Sequence, residues 1–283
     1  MIVKEVEQLF QEELAAHYTA AERRILWQTF GEAMLGYSAV ALKIHAAEPC
    51  SNEAISQFKT IISQLKAGQP YQQILGKAEF FGTSFFVNEA VLIPRPETEE
   101  LLEIAIKTIK EKRDTQAPLK ILDIGTGSGI IPIILKKNFP NAVVQSLDIS
   151  EEAQAVAQRN AEFHQVDIQL IRCDYLQYPL ESFYDVIISN PPYIGQEEAL
   201  NLHNTVIQFE PNIALFSPTS DALVFYRKIA QDAQKHLSSK GLVFLEINQK
   251  WGAETLALFQ DFANHQLIKD LSGNDRFIIA EKA

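Results

Sequence analysis

Cysteine is scarce in this chain of 283 residues, which excludes the common zinc-binding patterns. The two cysteines, Cys50 and Cys173, lie far apart in sequence, and neither belongs to a Cys-x-x-Cys pair or a Cys/His cluster. We therefore expect reduced thiols and no bound metal. The sequence also lacks any apolar run near the ~20 residues of a membrane span, and the carboxylates of Glu5 and Glu7 stand where a signal peptide would be apolar. These absences predict a cytoplasmic protein that does not contact membranes.

Positive charge is also in short supply. The chain has 25 Lys and Arg against 36 Asp and Glu, which gives a formal net charge of −11. Because duplex DNA and RNA are bound mainly through phosphate contacts from Lys and Arg, we expect no stable nucleic-acid binding. What the chain does have is a hydrophobic content of 47%, which is enough for one full core and a small second one.

Helical periodicity dominates the first 70 residues. One apolar stripe at helical spacing is formed by Ile55, Phe58, Ile61, Ile62 and Leu65. Residues 1–70 are therefore predicted to form a small N-terminal helical domain. Residues 71–93 are rich in Phe and broken by Gly and Asn, and are predicted to form a β-hairpin linker.

From residue 94 to 283 the chain alternates short apolar runs with helical patterns. The predicted strands of this part lie at residues 119–124, 143–147, 168–171, 186–189 and 242–247. Strands separated by helices form right-handed βαβ units, which predicts an α/β domain with a parallel, doubly wound sheet. Two further runs, 266–270 and 276–280, are separated only by a short turn. They predict a C-terminal hairpin that adds one antiparallel edge strand.

A glycine-rich loop follows the first predicted strand of that domain. Residues 123–129 read Asp-Ile-Gly-Thr-Gly-Ser-Gly, and such a turn lets a ligand approach the backbone closely at a strand end. Ile130 stands where the dinucleotide fingerprint has its third glycine, so NAD is the less favoured ligand. A tight turn with no ligand is the alternative. The candidate cofactor-binding residues of the loop are Asp123, Gly125, Thr126, Gly127 and Gly129.

Two carboxylates end the next two predicted strands. Asp148 lies at the distance typical of an acid that accepts both hydroxyls of a ribose, although it could also cap the helix near Glu151. Asp174 follows the third strand, where a carboxylate can accept a hydrogen bond from an adenine amine. Because parallel strands end at one edge of a sheet, both acids are candidate cofactor ligands beside the glycine loop.

The fourth strand runs directly into Asn190-Pro191-Pro192-Tyr193. Two prolines stiffen this loop and remove two backbone donors, so that it presents carbonyl acceptors to a neighbouring ligand. The Asn190 side-chain oxygen and the Pro191 carbonyl could hold an –NH₂ group and stabilise positive charge on its nitrogen. The Tyr193 ring could stack on a planar group. Asn190, Pro191 and Tyr193 are therefore candidate catalytic residues for a reaction at an amide or aromatic-amine nitrogen, and Asn190 is also a candidate cofactor contact.

Several segments together resemble the peptide chain release factor glutamine methyltransferases of the HemK type. Besides the Asn-Pro-Pro-Tyr loop, they are residues 78–82 (Ala-Glu-Phe-Phe-Gly), 92–99 (Leu-Ile-Pro-Arg-Pro-Glu-Thr-Glu), 209–211 (Phe-Glu-Pro) and 273–276 (Gly-Asn-Asp-Arg). The resemblance covers roughly residue 68 to the end. One segment departs from that family's pattern, since residues 247–251 read Ile-Asn-Gln-Lys-Trp where a glycine and an aromatic residue are expected.

The resemblance implies a class I, Rossmann-like methyltransferase that uses S-adenosyl-L-methionine and releases S-adenosyl-L-homocysteine. It implies that the acceptor is the side-chain amide nitrogen, N5, of the glutamine in the Gly-Gly-Gln motif of bacterial release factors. The N-terminal helical domain would then dock the protein substrate. By the same resemblance, Gly125 and Gly127 face the methionine part of the cofactor and Asp148 binds its ribose.

The substrate residues are implied in the same way. Asn190 and Pro191 hold the glutamine amide and Tyr193 packs on it. Pro192, in the same loop, and Arg95, in the segment before the α/β domain, are further candidate substrate contacts.

Two other functions fit parts of the sequence. An adenine-N6 DNA methyltransferase would also use Asn-Pro-Pro-Tyr, on a base flipped out of a duplex. The acidic balance and the lack of a separate target-recognition segment argue against it. A scaffold that binds the cofactor without catalysis would need only the glycine loop and would leave Asn190 unexplained.

Overall fold

Two compact units make up the chain, Met1–Gly76 and Lys77–Ala283. The computed structural model describes residues 1–195 and 204–283. The first unit is helical, as predicted for residues 1–70. Its helices are α1 (Val3–Glu13), α2 (Ala20–Leu35), α3 (Ala39–Ile44), α4 (Asn52–Lys66) and α5 (Tyr71–Leu75).

Side-chain caps and an aromatic core build the first unit. Thr19 and Glu22 form a reciprocal capping box at the start of α2, and the Ser51 hydroxyl accepts from the backbone of α4. Phe10, Trp27 and Phe58 pack together in the core, with ring centroids 5.2 to 6.4 Å apart. The unit therefore has a hydrophobic core of its own.

Helix α5 corrects the hairpin prediction at its start. Residues 71–75 were expected to be extended, but they form a helix that starts after Pro70 and ends at Gly76, whose φ is +69°. Ile74 and Leu75 pack against the core of the first unit, so tertiary packing overrides the local turn signals. The hairpin itself begins at Lys77. The division into 1–70, 71–93 and 94–283 stays a prediction.

The second unit is an α/β domain preceded by a hairpin. Its strands are β1 (Lys77–Phe80), β2 (Thr83–Phe86), β3 (Lys120–Ile124), β4 (Val143–Asp148), β5 (Gln169–Arg172), β6 (Tyr184–Ser189), β7 (Leu237–Glu246), β8 (Asn264–Lys269) and β9 (Asp275–Glu281). Its helices are α6 (Pro96–Lys112), α7 (Ile130–Asn138), α8 (Glu151–Phe163), α9 (Asn204–Phe209), α10 (Asn212–Leu215), α11 (Val224–His236) and α12 (Gly252–Ala257), with a 3₁₀ helix at Gln249–Trp251.

Seven strands form the central sheet in the order β5-β4-β3-β6-β7-β9-β8. Strands β3 to β7 are parallel, and β9 pairs antiparallel with both β7 and β8. The predicted doubly wound sheet with a C-terminal hairpin is confirmed. The antiparallel strand is not at the edge, however. Strand β9 is apolar and buried at Phe277 and Ile278, so it takes the interior position, while the polar start of β8 forms the edge.

The order of the strands creates the place where a ligand can bind. The chain passes from β3 to β4 on one side and later returns to β6 on the other, which makes the carboxyl end of β3 a topological switch point. The Ser189 hydroxyl donates to the Ile124 carbonyl over 2.6 Å and ties the ends of β6 and β3 together. Among the described residues, no helix combines the length and apolar character that crossing a membrane requires.

Asn160, on α8, fixes the hairpin and the glycine loop at once. It is fully buried, and its side-chain oxygen accepts from the Phe86 backbone N–H over 2.7 Å. Its amide nitrogen donates to the carbonyls of Phe86 (2.9 Å) and Ser128 (2.8 Å). One side chain thus connects β2 with the loop that precedes α7.

We predict that Asn160→Ala lowers the free energy of unfolding by about 2 to 4 kcal/mol, because it leaves the buried Ser128 carbonyl and the part-buried N–H and carbonyl of Phe86 without this partner. Gln158→Ala, at an exposed position of the same helix, should change it by less than about 0.5 kcal/mol. Urea unfolding of both variants measures the difference. Equal losses in the two variants would contradict the role of Asn160.

Candidate active site

A cavity of about 380 Å³ lies in the second unit at the carboxyl ends of β3, β4 and β6. Its volume is within the range of small-molecule sites. The predicted site residues on its wall are Arg95, Gly125, Thr126, Gly127, Asp148, Asp174, Asn190, Pro191 and Pro192. Asp123, Gly129 and Tyr193 do not line it. No cluster of three side chains suited to a metal ion occurs within residues 1–195 and 204–283.

The glycine loop exposes its backbone to this cavity. Gly125 and Gly127 have φ values of +84° and +53°, a region that favours glycine. A Cβ added at Gly127 would meet nothing within 4 Å, whereas one at Gly125 would lie 3.7 Å from the Asn190 carbonyl oxygen. The N–H groups of Gly125 and Thr126 donate to the Leu147 carbonyl and hold the loop against the end of β4. A side chain at Gly125 would fill the gap between the two loops.

Gly129 and Asp123 support the glycine loop on the side that faces away from the cavity. A Cβ added at Gly129 would lie 3.1 Å from both the Cα and the Cβ of Ala157, so glycine is required there for helix packing. Asp123 is fully buried and accepts a hydrogen bond from the Ser146 hydroxyl, which in turn contacts the Thr126 hydroxyl. This chain of side chains joins β3, β4 and the glycine loop.

Asp123 has an unusual environment for a carboxylate. Its Oδ1 has no hydrogen-bond partner in the described part of the chain. Burial raises the pKa of Asp123 to about 7, although hydrogen bonds from Ser146 and Thr126 oppose the rise. The carboxyl group therefore carries its proton over part of the neutral pH range.

Asp148 is held by two backbone N–H groups. Its Oδ2 accepts from Gly127 over 2.8 Å and its Oδ1 from Ser150 over 2.9 Å. Burial raises its pKa and these two hydrogen bonds oppose the rise. Because a carboxylate oxygen can accept more than one hydrogen bond, both oxygens of Asp148 can still accept from hydroxyl groups in the cavity.

Asp174 also lies on the cavity wall, two residues after the end of β5. Its carboxylate accepts from the backbone N–H of Leu176 over 3.0 Å and from the side chain of Gln177 over 2.8 Å. The two acids predicted from the strand ends therefore lie on the same cavity wall as the glycine loop.

Asn190 begins the second loop of the site, directly after β6. Its Nδ2 donates to the Thr98 hydroxyl over 3.1 Å. The Thr98 hydroxyl donates to Oε2 of Glu246 over 2.7 Å, and both residues are buried. The Asn190 Oδ1 has no hydrogen-bond partner among the residues that the structure describes. Asn190 and Pro191 both line the cavity, so the Asn190 Oδ1 and the Pro191 carbonyl are candidate acceptors there.

Tyr193 supports this loop rather than the cavity wall. Its hydroxyl donates to Oε1 of Glu246 over 3.3 Å, and its ring packs against the hydrophobic core. The Asn248 side chain donates to the Tyr193 carbonyl over 3.3 Å. The segment that departs from the family pattern therefore holds the Asn-Pro-Pro-Tyr loop in position.

Glu246 ends the central strand β7 and receives donors from two segments. Besides Thr98 and Tyr193, the guanidinium of Arg276 lies near enough to stabilise its charge. Burial nevertheless raises the pKa of Glu246 to about 7. Glu246 was not among the site residues predicted from the sequence. The available signal was an acidic residue closing an otherwise apolar run, residues 242–247.

Arg95 is fixed by a second buried carboxylate. It forms an ion pair with Oε1 of Glu210, whose Oε2 accepts from the Ile93 backbone N–H over 3.1 Å. The Glu210 side chain is only 2% exposed, while that of Arg95 is 34% exposed and lies on the cavity wall. The pair joins the segment before α6 to the segment before α10.

Sequence comparisons identify relatives of both units. Residues 5–76 match the family model of the PrmC N-terminal domain, and residues 102–213 match that of the methyltransferase small domain. A release factor glutamine methyltransferase of Flavobacterium psychrophilum is 43% identical, over 98% of each chain. One of Enterococcus faecalis is 38% identical, over 96% of this chain and 93% of the relative.

Solved structures support the fold. A methyltransferase from Pyrococcus furiosus has a TM-score of 0.50 at 19% identity and covers 81% of this chain and 98% of its own. The T. thermophilus 16S rRNA N2 G1207 methyltransferase, solved with AdoMet and guanosine, has a TM-score of 0.51 at 18% identity, over 73% of this chain and 50% of its own.

The sheet, the glycine loop at its switch point and the acceptor loop beside it define an S-adenosylmethionine-dependent methyltransferase. The site fits this cofactor because exposed loop backbone, at Gly125 and Gly127, and the carboxylates of Asp148 and Asp174 lie on one cavity wall. The chain belongs to the release factor glutamine methyltransferase family. The predicted family, fold and cofactor are confirmed, while the roles of the individual site residues stay predictions.

The buried Asp123 predicts how stability depends on pH. Because its folded pKa is raised from 3.8 to about 7, its contribution to stability is present below the lower value and is lost as the pH rises through the higher one. The free energy of unfolding should fall between about pH 5 and about pH 8, and Asp123→Asn should reduce that fall by on the order of 2 kcal/mol.

Urea unfolding of the cofactor-free protein at both pH values measures this difference. Asp167→Asn, at an exposed position, is the control for loss of one charge. Identical pH dependence in wild type and Asp123→Asn would show that Asp123 is ionised throughout.

Proposed function

We propose that this chain transfers a methyl group from S-adenosylmethionine to the side-chain amide nitrogen of the glutamine in the Gly-Gly-Gln motif of bacterial release factors. The observation that carries the proposal is that Asn190, whose Oδ1 has no partner within residues 1–195 and 204–283, lines one cavity with Pro191 and the glycine loop. The names of the relatives add the substrate, since they are release factor glutamine methyltransferases. A role in translation termination also supports a cytoplasmic location.

The chemistry requires acceptors because an amide nitrogen is a poor nucleophile. Its lone pair is delocalised into the carbonyl group. Asn190 Oδ1 and the Pro191 carbonyl each accept one N–H of the substrate amide, aim its nitrogen, and stabilise the positive charge that grows there. Bound S-adenosylmethionine supplies the methyl group on a positively charged sulfur and leaves as S-adenosylhomocysteine. The nitrogen then loses one proton to solvent.

The remaining loop residues have supporting roles in this proposal. Pro192 keeps the loop extended and forms part of the wall. Stacking of Tyr193 on the substrate amide stays a prediction, and it would require the ring to reach the cavity from its present position on Glu246. Arg95, held by Glu210, is suited to contact a backbone carbonyl of the substrate.

The cofactor is assigned to the other half of the cavity. Gly125 and Gly127 allow close approach of the methionine part, and Asp148 accepts from the ribose hydroxyls. Asp174 accepts from the adenine amine. The Thr126 backbone forms part of the cofactor wall. Asp123 and Gly129 stabilise the glycine loop on the side away from the cavity.

Methylation of adenine in DNA is the second candidate, and the comparisons do not favour it. The relatives are named for release factors. The net charge of −11 offers little for phosphate contacts.

Cofactor binding can be tested at Asp148. We predict that Asp148→Ala weakens S-adenosylmethionine binding by on the order of 2 kcal/mol, the scale of hydrogen bonds to a charged acceptor. Isothermal titration calorimetry measures this loss. Glu152→Ala, at an exposed position in the first turn of α8, should leave the affinity unchanged, and unchanged affinity in Asp148→Ala would remove the ribose assignment.

The substrate can be tested with labelled cofactor. We predict that the protein incorporates methyl groups into an intact bacterial release factor, at the Gly-Gly-Gln glutamine, and none into duplex DNA. Replacement of that glutamine should abolish incorporation, because the acceptor nitrogen is then absent. Mass spectrometry of the digested release factor locates the modification. Methyl groups on adenine, or on a release factor that lacks the glutamine, would reject the proposal.

A further inference from the structure

The hydroxyl of Thr98 has one proton, and Glu246 determines where that proton points. A threonine hydroxyl can donate one hydrogen bond and accept others. A buried carboxylate without its proton can only accept, so the Thr98 proton points to Glu246 Oε2, 2.7 Å away. Thr98 then has only acceptor capacity left for its other neighbour, Asn190.

The direction of that bond decides which side of the Asn190 amide faces Thr98. An acceptor requires the NH₂ group, and Nδ2 is indeed the atom 3.1 Å from the Thr98 oxygen. The opposite rotamer would place Oδ1 against the lone pairs of Thr98 and turn two N–H donors toward the cavity. An –NH₂ substrate could not be held by donors.

We propose that Thr98 and Glu246 are positioning residues, which keep the Asn190 oxygen facing the cavity through a relay of directed hydrogen bonds. The inference rests on the proposed function, because it assigns the relay to the orientation of the substrate nitrogen. Glu246 does not line the cavity, and Thr98 lines it but acts in this proposal through Asn190. Tyr193 adds a second donor to Glu246 and so helps to keep its charge.

The surroundings of Glu246 make the relay sensitive to its protonation. The charged and titratable groups that face it are Glu97 on α6, Tyr193, Tyr226 on α11 and Arg276 on β9. A protonated Glu246 could donate to Thr98, and Thr98 could then donate to Asn190 Oδ1. The relay would reverse, and the cavity would lose its acceptor.

A pair of substitutions at Thr98 tests the relay. Thr98→Val keeps the shape but removes the hydroxyl, whereas Thr98→Ser keeps the hydroxyl. Thr98→Val, assayed near pH 8.5 on a release factor, should lower kcat about tenfold or more. A tenfold loss corresponds to about 1.4 kcal/mol in the activation free energy, which is the expected cost of a misoriented Asn190. Thr98→Ser should stay within about twofold. Thr98→Ser should keep the melting temperature of the wild type, whereas Thr98→Val should lower it because the buried Glu246 loses a donor. Both should keep the cofactor affinity of the wild type.

A double-mutant cycle separates positioning from general support of the fold. Asn190→Ala alone should lower kcat about a hundredfold. If Thr98 acts through Asn190, Thr98→Val should cost nothing further in the Asn190→Ala background. An additional tenfold loss in the double variant, or full activity of Thr98→Val, would overturn the proposal.

A second measurement needs no substrate. The side-chain ¹H–¹⁵N signals of Asn190, identified by their loss in Asn190→Ala, should shift in wild type as the pH falls through about 7. Thr98→Val and Glu246→Gln should each abolish the shift. The Glu246→Gln control is needed because Asp123 titrates in the same range.

The methylation assay and the Asn190 signals distinguish failure of the relay from failure of the proposed function. If wild type methylates no release factor, the proposed function fails, while the Asn190 signals still report on the relay. If wild type is active and the Asn190 signals titrate equally in Thr98→Val, the relay fails and the function stands.

Discussion

A carboxylate buried at the end of a central strand is the constraint on which the substrate half of this protein depends. Burying Glu246 costs hydration, and the charge is tolerated only where donors replace the lost water. Those donors come from Thr98 at the start of α6 and from Tyr193 in the loop after β6, with Arg276 of β9 close by. Segments far apart in sequence therefore have to meet at one point, and that point lies directly behind Asn190.

The cofactor half is organised around a different buried acid. Asp123 is connected through Ser146 to Thr126, so the glycine loop rests on side chains of β3 and β4 and not only on its own backbone. Asp148 then holds the front of the loop through the Gly127 N–H. The two halves meet where a Cβ at Gly125 would lie 3.7 Å from the Asn190 carbonyl oxygen, and both loops border one cavity of about 380 Å³.

Local patterns predicted most of the fold and nine of the residues that line the cavity. The strand predicted at 119–124 is Lys120–Ile124, and the loop after it lies at the switch point as expected. The contact between Thr98 and Glu246 could not be predicted, because 148 residues separate them and their meeting depends on the order of strands. The position of Tyr193 and the helix Tyr71–Leu75 were missed for a related reason, since packing partners distant in sequence decided both.

Side chains of helix α8 bond the outer edge of the hairpin, as the backbone of a third strand would. Strand β2 pairs with β1 on one side, and on its other side Asn160 takes both the N–H and the carbonyl of Phe86, while His164 bonds the Ser84 carbonyl. These side chains lie four residues apart, so they face the strand together. Exposed strand edges recruit other chains into aggregates. The outer edge of β2 in this short, phenylalanine-rich hairpin is thereby closed to pairing with another chain, and solvent-facing positions of β2 can change without exposing that edge.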